Sequence, residues 1–149
     1  ARSKLPQPTR ASRTLRSRPV AGRFYEGFVP GRHLIDAYGR GGFRFAEMSH
    51  RGSILALPSG IHAWDVTDIA DLTPEAFAPV REEADAIDLL LIGTGPEAAA
   101  LSEPVRAVLR DAGIRIDVMP TGAAARTFNV LLAENRRVAA ALIAVPEAG

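Results

Sequence analysis

Apolar residues along this chain follow two rhythms. In the first half they come in short runs cut by turn residues. Phe43 and Phe45, with Met48 beyond them, follow Gly41-Gly42; Ile54 to Leu57 follow Arg51-Gly52; Ile61 to Val66 follow Pro58-Ser59-Gly60. Such spacing predicts three short strands at hairpin distance. At Thr73 the period lengthens. Thr73-Pro74-Glu75 supplies an N-cap hydroxyl, a proline at the first helical position and an acid in the first turn. Phe77, Val80, Ala84 and Ile87 then share one helical face.

Leu89-Leu90-Leu91-Ile92 is continuously apolar, as a central strand covered on both faces must be. Gly93-Thr94-Gly95-Pro96 ends it. Val105, Val108, Leu109 and Ala112 make the next helical stripe, with Pro104 near its start and Gly113 placed just past its end. Ile114, Ile116 and Val118 alternate as a strand. Thr121 is placed to cap a helix that turns Ala124, Phe128, Leu131 and Leu132 inward, and Val138 to Val145 form a last strand. Strands come first and helix-strand units follow. That order predicts one α/β domain with a mixed sheet, antiparallel in its N-terminal part.

Charge divides the chain differently. Residues 1–23 hold seven basic groups (Arg2, Lys4, Arg10, Arg13, Arg16, Arg18, Arg23) and no acid. The remaining residues hold 11 basic and 17 acidic ones, so a net charge of +1 is a +7 arm on a −6 domain. The arm is rich in proline, serine and threonine and nearly free of large apolar groups, so it is expected to stay disordered. The same composition suits a mitochondrial transit peptide, or a contact with nucleic acid or acidic lipid. It lacks interleaved aromatics, which argues against nucleic acid. The expected organisation is the arm at 1–23, the domain at 24–145 and a frayed end at 146–149.

Composition excludes several chemistries. There is no cysteine, and therefore no disulfide, zinc thiolate, iron–sulfur cluster or cysteine nucleophile. Nothing points to an oxidising compartment, so the cytoplasm is the expected location, or the mitochondrial matrix for a eukaryotic source. No apolar run approaches the ~18 residues that span a membrane as a helix. His33, His50 and His62 lack metal-ligand spacing. Asp65, Asp68 and Asp71 lack the glycine and terminal glutamate of a calcium loop. Ser49, His50 and Ser53 lack the strand-turn-helix setting of a nucleophile elbow. Trp64 suits either the core or an interface. No metal, cofactor or catalytic set is expected.

Two stretches could hold a ligand. Gly93-Thr94-Gly95-Pro96-Glu97-Ala98, with Asp117 further on, has the outline of a dinucleotide fingerprint. Pro96 removes an N–H where a pyrophosphate needs one, the next helix starts late, and too little chain follows for a second mononucleotide half. A glycine-rich turn at the carboxyl edge of the sheet, or a small-anion contact there, explains it better. The second stretch is the helix start from Thr121 to Asn129. Its small residues leave first-turn N–H groups accessible, with Arg126 one turn in. Close packing of the alanines on the sheet explains the same residues without a ligand. If the two preceding strands are neighbours, Gly93, Thr94, Gly95, Thr121, Arg126, Thr127 and Asn129 gather at one place.

Tyr38-Gly39 through Phe43, RGSIL at 51–55, LLLIGTG at 89–95 and MPTGAAARTFNVLLAENRRVAAALI at 119–143 together resemble a known family. It is the small α/β domain family of the mitochondrial respiratory complex I assembly factor 3 and its uncharacterised bacterial and archaeal homologues. The resemblance covers residues ~33–145, and the glycine turn paired with the arginine-bearing helix is its most specific part. It implies a three-layer fold around a mixed five-stranded sheet and no established enzymatic activity. It further implies that Gly93, Gly95, Met119, Thr121, Arg126, Thr127, Asn129 and Glu134 are recurrent positions. Ala125 stands where some members carry cysteine, and Phe128 where many carry tyrosine, so neither thiol nor phenol chemistry is available here. The resulting expectation is a non-enzymatic interaction protein with a protein partner, of the kind that assists assembly of a respiratory or membrane-associated complex. The alternative is an anion- or small-molecule-binding protein, or an unrecognised enzyme, with its pocket between the 93–95 turn and the 121–129 helix start.

Overall fold

The computed structural model describes residues 27–146; the basic arm at 1–23 and residues 147–149 lie outside them. Among the described residues nine strands form two sheets. The larger sheet has the order β1-β6-β5-β9-β7-β8, built from β1 (Phe28–Pro30), β6 (Gly60–Trp64), β5 (Ser53–Leu57), β9 (Val138–Leu142), β7 (Leu89–Gly93) and β8 (Arg115–Met119). Pairs from β1 to β9 are antiparallel, and β7 is parallel to both β9 and β8. The expected mixed α/β sheet is therefore present, with six strands rather than five.

The smaller sheet is a meander of β2 (Ala37–Gly39), β3 (Gly42–Phe45) and β4 (Met48–Arg51). The run from Phe43 to Met48 thus breaks into two strands. Ala46 and Glu47 form the turn, with φ of 50° and 63°. Arg40 and Gly41, with φ of 55° and 78°, make the turn before it. Both loops have two residues at positive φ, the backbone that matches the twist of a hairpin.

Burial follows the apolar rhythm. β7 and β9 sit in mid-sheet, and their alternating residues feed a separate core on each face. One core gathers Leu55, Leu90, Ile92, Ala139 and Ala141 under Val105 and Leu109 of α2 (Glu103–Asp111), together with Trp64, Phe77 and Val80. Trp64 belongs here: it meets Phe77 edge-on at 5.5 Å and donates its indole N–H to Ala76 O. The other core places Ile54, Ala56, Leu91, Ala140 and Leu142 under α3 (Thr121–Ala133) and the small sheet, through Ala124, Ala125, Phe128, Phe43 and Phe45. Three layers result.

The helix expected from Thr73 is broken. Thr73 does cap, accepting from Ala76 N, but it caps a 3-10 turn at Pro74–Phe77. That turn leads into α1 (Ala78–Glu82) and a second 3-10 turn at Ala84–Ala86. Pro79 is the cause. It has no N–H for an i−4 bond, and its ring crowds the carbonyl of Glu75, so one continuous helix cannot form.

Candidate functional site

The chain leaves β7 toward the α2 face and leaves β8 toward the α3 face. Neighbouring parallel strands whose connections part in this way open a crevice at their carboxyl ends, where open α/β sheets bind ligands. Gly93, Thr94 and Gly95 end β7, and Pro120 and Thr121 follow β8, so both sequence candidates meet here.

A hydrogen-bond net closes the floor of this crevice. Thr94 N donates to Met119 O at 3.0 Å, and Thr121 N to Gly95 O at 2.8 Å. Ile143 N donates to Gly93 O at 2.9 Å. The Thr121 hydroxyl is fully buried; it accepts from Gly95 N at 2.9 Å and donates to Ile143 O at 2.7 Å. Thr121 therefore does not cap its own helix. Pro120 occupies the N-cap position without a side-chain bond, and the threonine hydroxyl joins the ends of β7 and β9 instead. Gly93 is required by this closeness, since a Cβ there would lie 2.8 Å from Thr121 Cα. Gly95 is required by conformation, with φ at 109° in the region L side chains avoid.

Above the floor lies a cavity of about 290 Å³ lined by Tyr38, Gly95, Pro96, Pro120, Gly122, Ala123, Arg126 and Val145. Gly122 and Ala123 belong to the first turn of α3, whose N–H groups have no intrahelical acceptor. Arg126 is exposed and makes no ion pair with a described residue. One guanidinium beside a helix N-terminus gives the cavity a positive character.

Of the seven residues expected at the site, only Gly95 and Arg126 line this cavity. Gly93, Thr94 and Thr121 build its floor. Thr94 donates its hydroxyl to Glu97 O at 2.7 Å. Thr127 contacts Met119 S at 3.8 Å. Asn129 points elsewhere: it accepts from Ile35 N and donates to Ile35 O, both at 2.8 Å, and so holds the 32–36 segment against α3. Tyr38 lines the cavity from the small sheet. Its ring fills the space a side chain at Gly122 would need, a contact across 84 residues that local pattern cannot reveal.

The dinucleotide outline finds no matching context. Residues 98–101 are not helical, α2 begins only at Glu103, and Asp117 is exposed on the edge strand β8. Each histidine is hydrogen-bonded: His33 with Pro30 O, His50 with Ser53 O and His62 with Ser59 Oγ. Asp68 and Asp71 form a capping box around the 3-10 turn at Ile69–Asp71. Asp71 also accepts from Thr67 N, Thr67 Oγ1 and Asp68 N, bonds that hold its carboxyl below the usual value. Among the described residues no cluster of histidine and carboxylate could hold a metal ion, and no helix is long and apolar enough to cross a membrane.

Comparison with known proteins agrees with this architecture. The chain is 41% identical over 114 residues to an uncharacterised protein of Rhodobacter capsulatus, covering 76% of this chain and 86% of that one. It is 32% identical over 146 residues to the NADH dehydrogenase [ubiquinone] 1 alpha subcomplex assembly factor 3 of Bos taurus, covering 98% of this chain and 73% of the bovine protein. It spans 60% of the mouse counterpart. A crystal structure from Bartonella henselae, described as an outer membrane protein, superposes with a TM-score of 0.75 at 59% identity, covering 78% of this chain and 98% of the other. A family model for proteins of unknown function, DUF498/DUF598, matches residues 35–143, and the chain belongs to that family.

Proposed function

We propose that this protein is a non-enzymatic interaction protein that assists assembly of a respiratory or other membrane-associated complex. The supporting observation is its similarity to the NADH dehydrogenase [ubiquinone] 1 alpha subcomplex assembly factor 3, over 98% of this chain for the bovine protein and 75% for the mouse protein. The crevice is consistent with that reading. The groups best placed for chemistry there, Thr94 and Thr121, are already committed to backbone partners. A tagged full-length chain should recover a stable partner from native membranes or cytosol of its source. Recovery of none would count against the proposal.

A second reading is favoured by one feature, the cavity between the 93–95 turn and α3. Its positive helix start and Arg126, which makes no ion pair with a described residue, suit a small anion. Arg126→Ala should then abolish anion binding in calorimetry while leaving the melting temperature within about 1 °C, because an exposed unpaired side chain contributes little to stability. A large loss of stability would make Arg126 structural instead.

A further inference from the structure

The small sheet has an outer face that nothing covers among the described residues. Its register sets which residues share it. Gly42 pairs with Gly39 and Arg51, and Arg44 pairs with Ala37 and Ser49. The intervening Phe43 and Phe45 are buried in the core below. The outer face carries Arg44 and Arg51, and Arg40 reaches it from the β2–β3 turn. These arginines and Ser49 line an open bowl of about 670 Å³, which Pro146 and the edges of the inward-facing Tyr38, Phe43 and His50 complete. Glycines at 39 and 42 keep its floor low.

The bowl is positive in a domain that is otherwise acidic. Among the described residues no carboxylate lines it. Arg40, Arg44 and Arg51 make no ion pair with a described residue; among the described residues their one side-chain hydrogen bond is from Arg44 to Ser49 Oγ at 3.2 Å. Guanidinium groups match carboxylates bidentately. Arg44 and Arg51 are diagonal neighbours across a strand pair, roughly 7–8 Å apart. In an extended peptide, alternate residues are spaced about 6.6 Å and point to the same side.

We propose that this face docks an extended acidic segment of a protein partner, with carboxylates at alternate positions meeting Arg44 and Arg51 and a further one reaching Arg40. The proposal rests on the interaction-protein reading and names the chemistry of the partner. It favours a peptide over single-stranded nucleic acid, because Phe43 is buried and its register partners Tyr38 and His50 lie half-buried on the same inner face, so the outer face carries no row of exposed rings for bases to stack on.

Fluorescence anisotropy of a labelled peptide of alternating glutamate and threonine, titrated with the full chain, tests it. The glutamate peptide should bind, and its glutamine counterpart should bind at least tenfold more weakly. Arg44→Glu combined with Arg51→Glu should weaken binding at least tenfold without lowering the melting temperature. Arg51→Gln alone should produce a smaller loss in the same direction. Arg106→Glu, the same charge reversal at a single site on exposed α2, should leave binding unchanged. Failure of the glutamate peptide to bind, equal binding of the glutamine peptide, an equal loss with Arg106→Glu, or tighter binding of an oligonucleotide of matched charge would each overturn the docking site. A native partner recovered equally by the wild-type chain and the double variant would overturn the docking site and leave the assembly reading standing. Recovery of no partner by the wild-type chain would overturn that reading itself.

Discussion

Thr121 shows how much a single hydroxyl can hold. It is fully buried and satisfies an amide of one strand end and a carbonyl of another. Thr121→Val keeps the volume but orphans both groups, each costing about 1–3 kcal/mol. Chemical denaturation should show a loss of at least about 2 kcal/mol, and a change below about 0.5 kcal/mol would refute the role assigned here. The sequence places Thr121 at a helix start, and a threonine before a helix ordinarily caps it. Its actual partners lie 22 and 26 residues away, beyond the reach of local pattern. The same limit hides the pairing of Asn129 with Ile35 and the packing of Tyr38 on Gly122. His50 carries a pH prediction. Burial pushes its imidazole below the ordinary histidine value, opposed in part by the bond to the Ser53 carbonyl. The unfolded chain then takes up a proton at higher pH than the folded one. This contribution to stability is complete above the unfolded pKa, ~6.5, and fades as pH falls through it toward the folded value. An NMR titration should place the His50 midpoint below that of a model histidine peptide.

At the scale of elements, sequence and structure agree where the apolar period runs unbroken. The strands at 53–57 and 89–93, α2 with Gly113 behind it, and α3 all stand where the pattern puts them. They part where one residue overrides the pattern. Pro79 breaks the helix after Thr73 because its ring cannot enter an i−4 ladder. The β3–β4 hairpin escapes notice because Ala46 and Glu47 lack turn chemistry, although both sit at positive φ. A non-glycine residue pays about 1–2 kcal/mol there. Glu47→Gly should therefore raise stability by roughly 1 kcal/mol, after the greater flexibility of glycine in the unfolded chain offsets part of the relief. A lower melting temperature would show that Glu47 makes contacts worth more than the strain.

At the scale of the whole molecule, charge is distributed by region. The sequence shows a basic arm on an acidic domain, and the fold adds a basic bowl on one face of that domain. The arginines of the bowl lie at 40, 44 and 51, and only the register of the small sheet brings them together. The two segments of the crevice stand out in the sequence, and parallel neighbours β7 and β8 bring the glycine turn at 93–95 and the small-residue start of α3 to one edge. Its floor is a closed hydrogen-bond net. The most direct measurement of the assembly role is a native gel of the membrane complexes from source cells lacking this protein. The account predicts a depleted mature complex and an accumulated subcomplex, both reversed by the wild-type chain. Unchanged mature complexes with no accumulated subcomplex would contradict it.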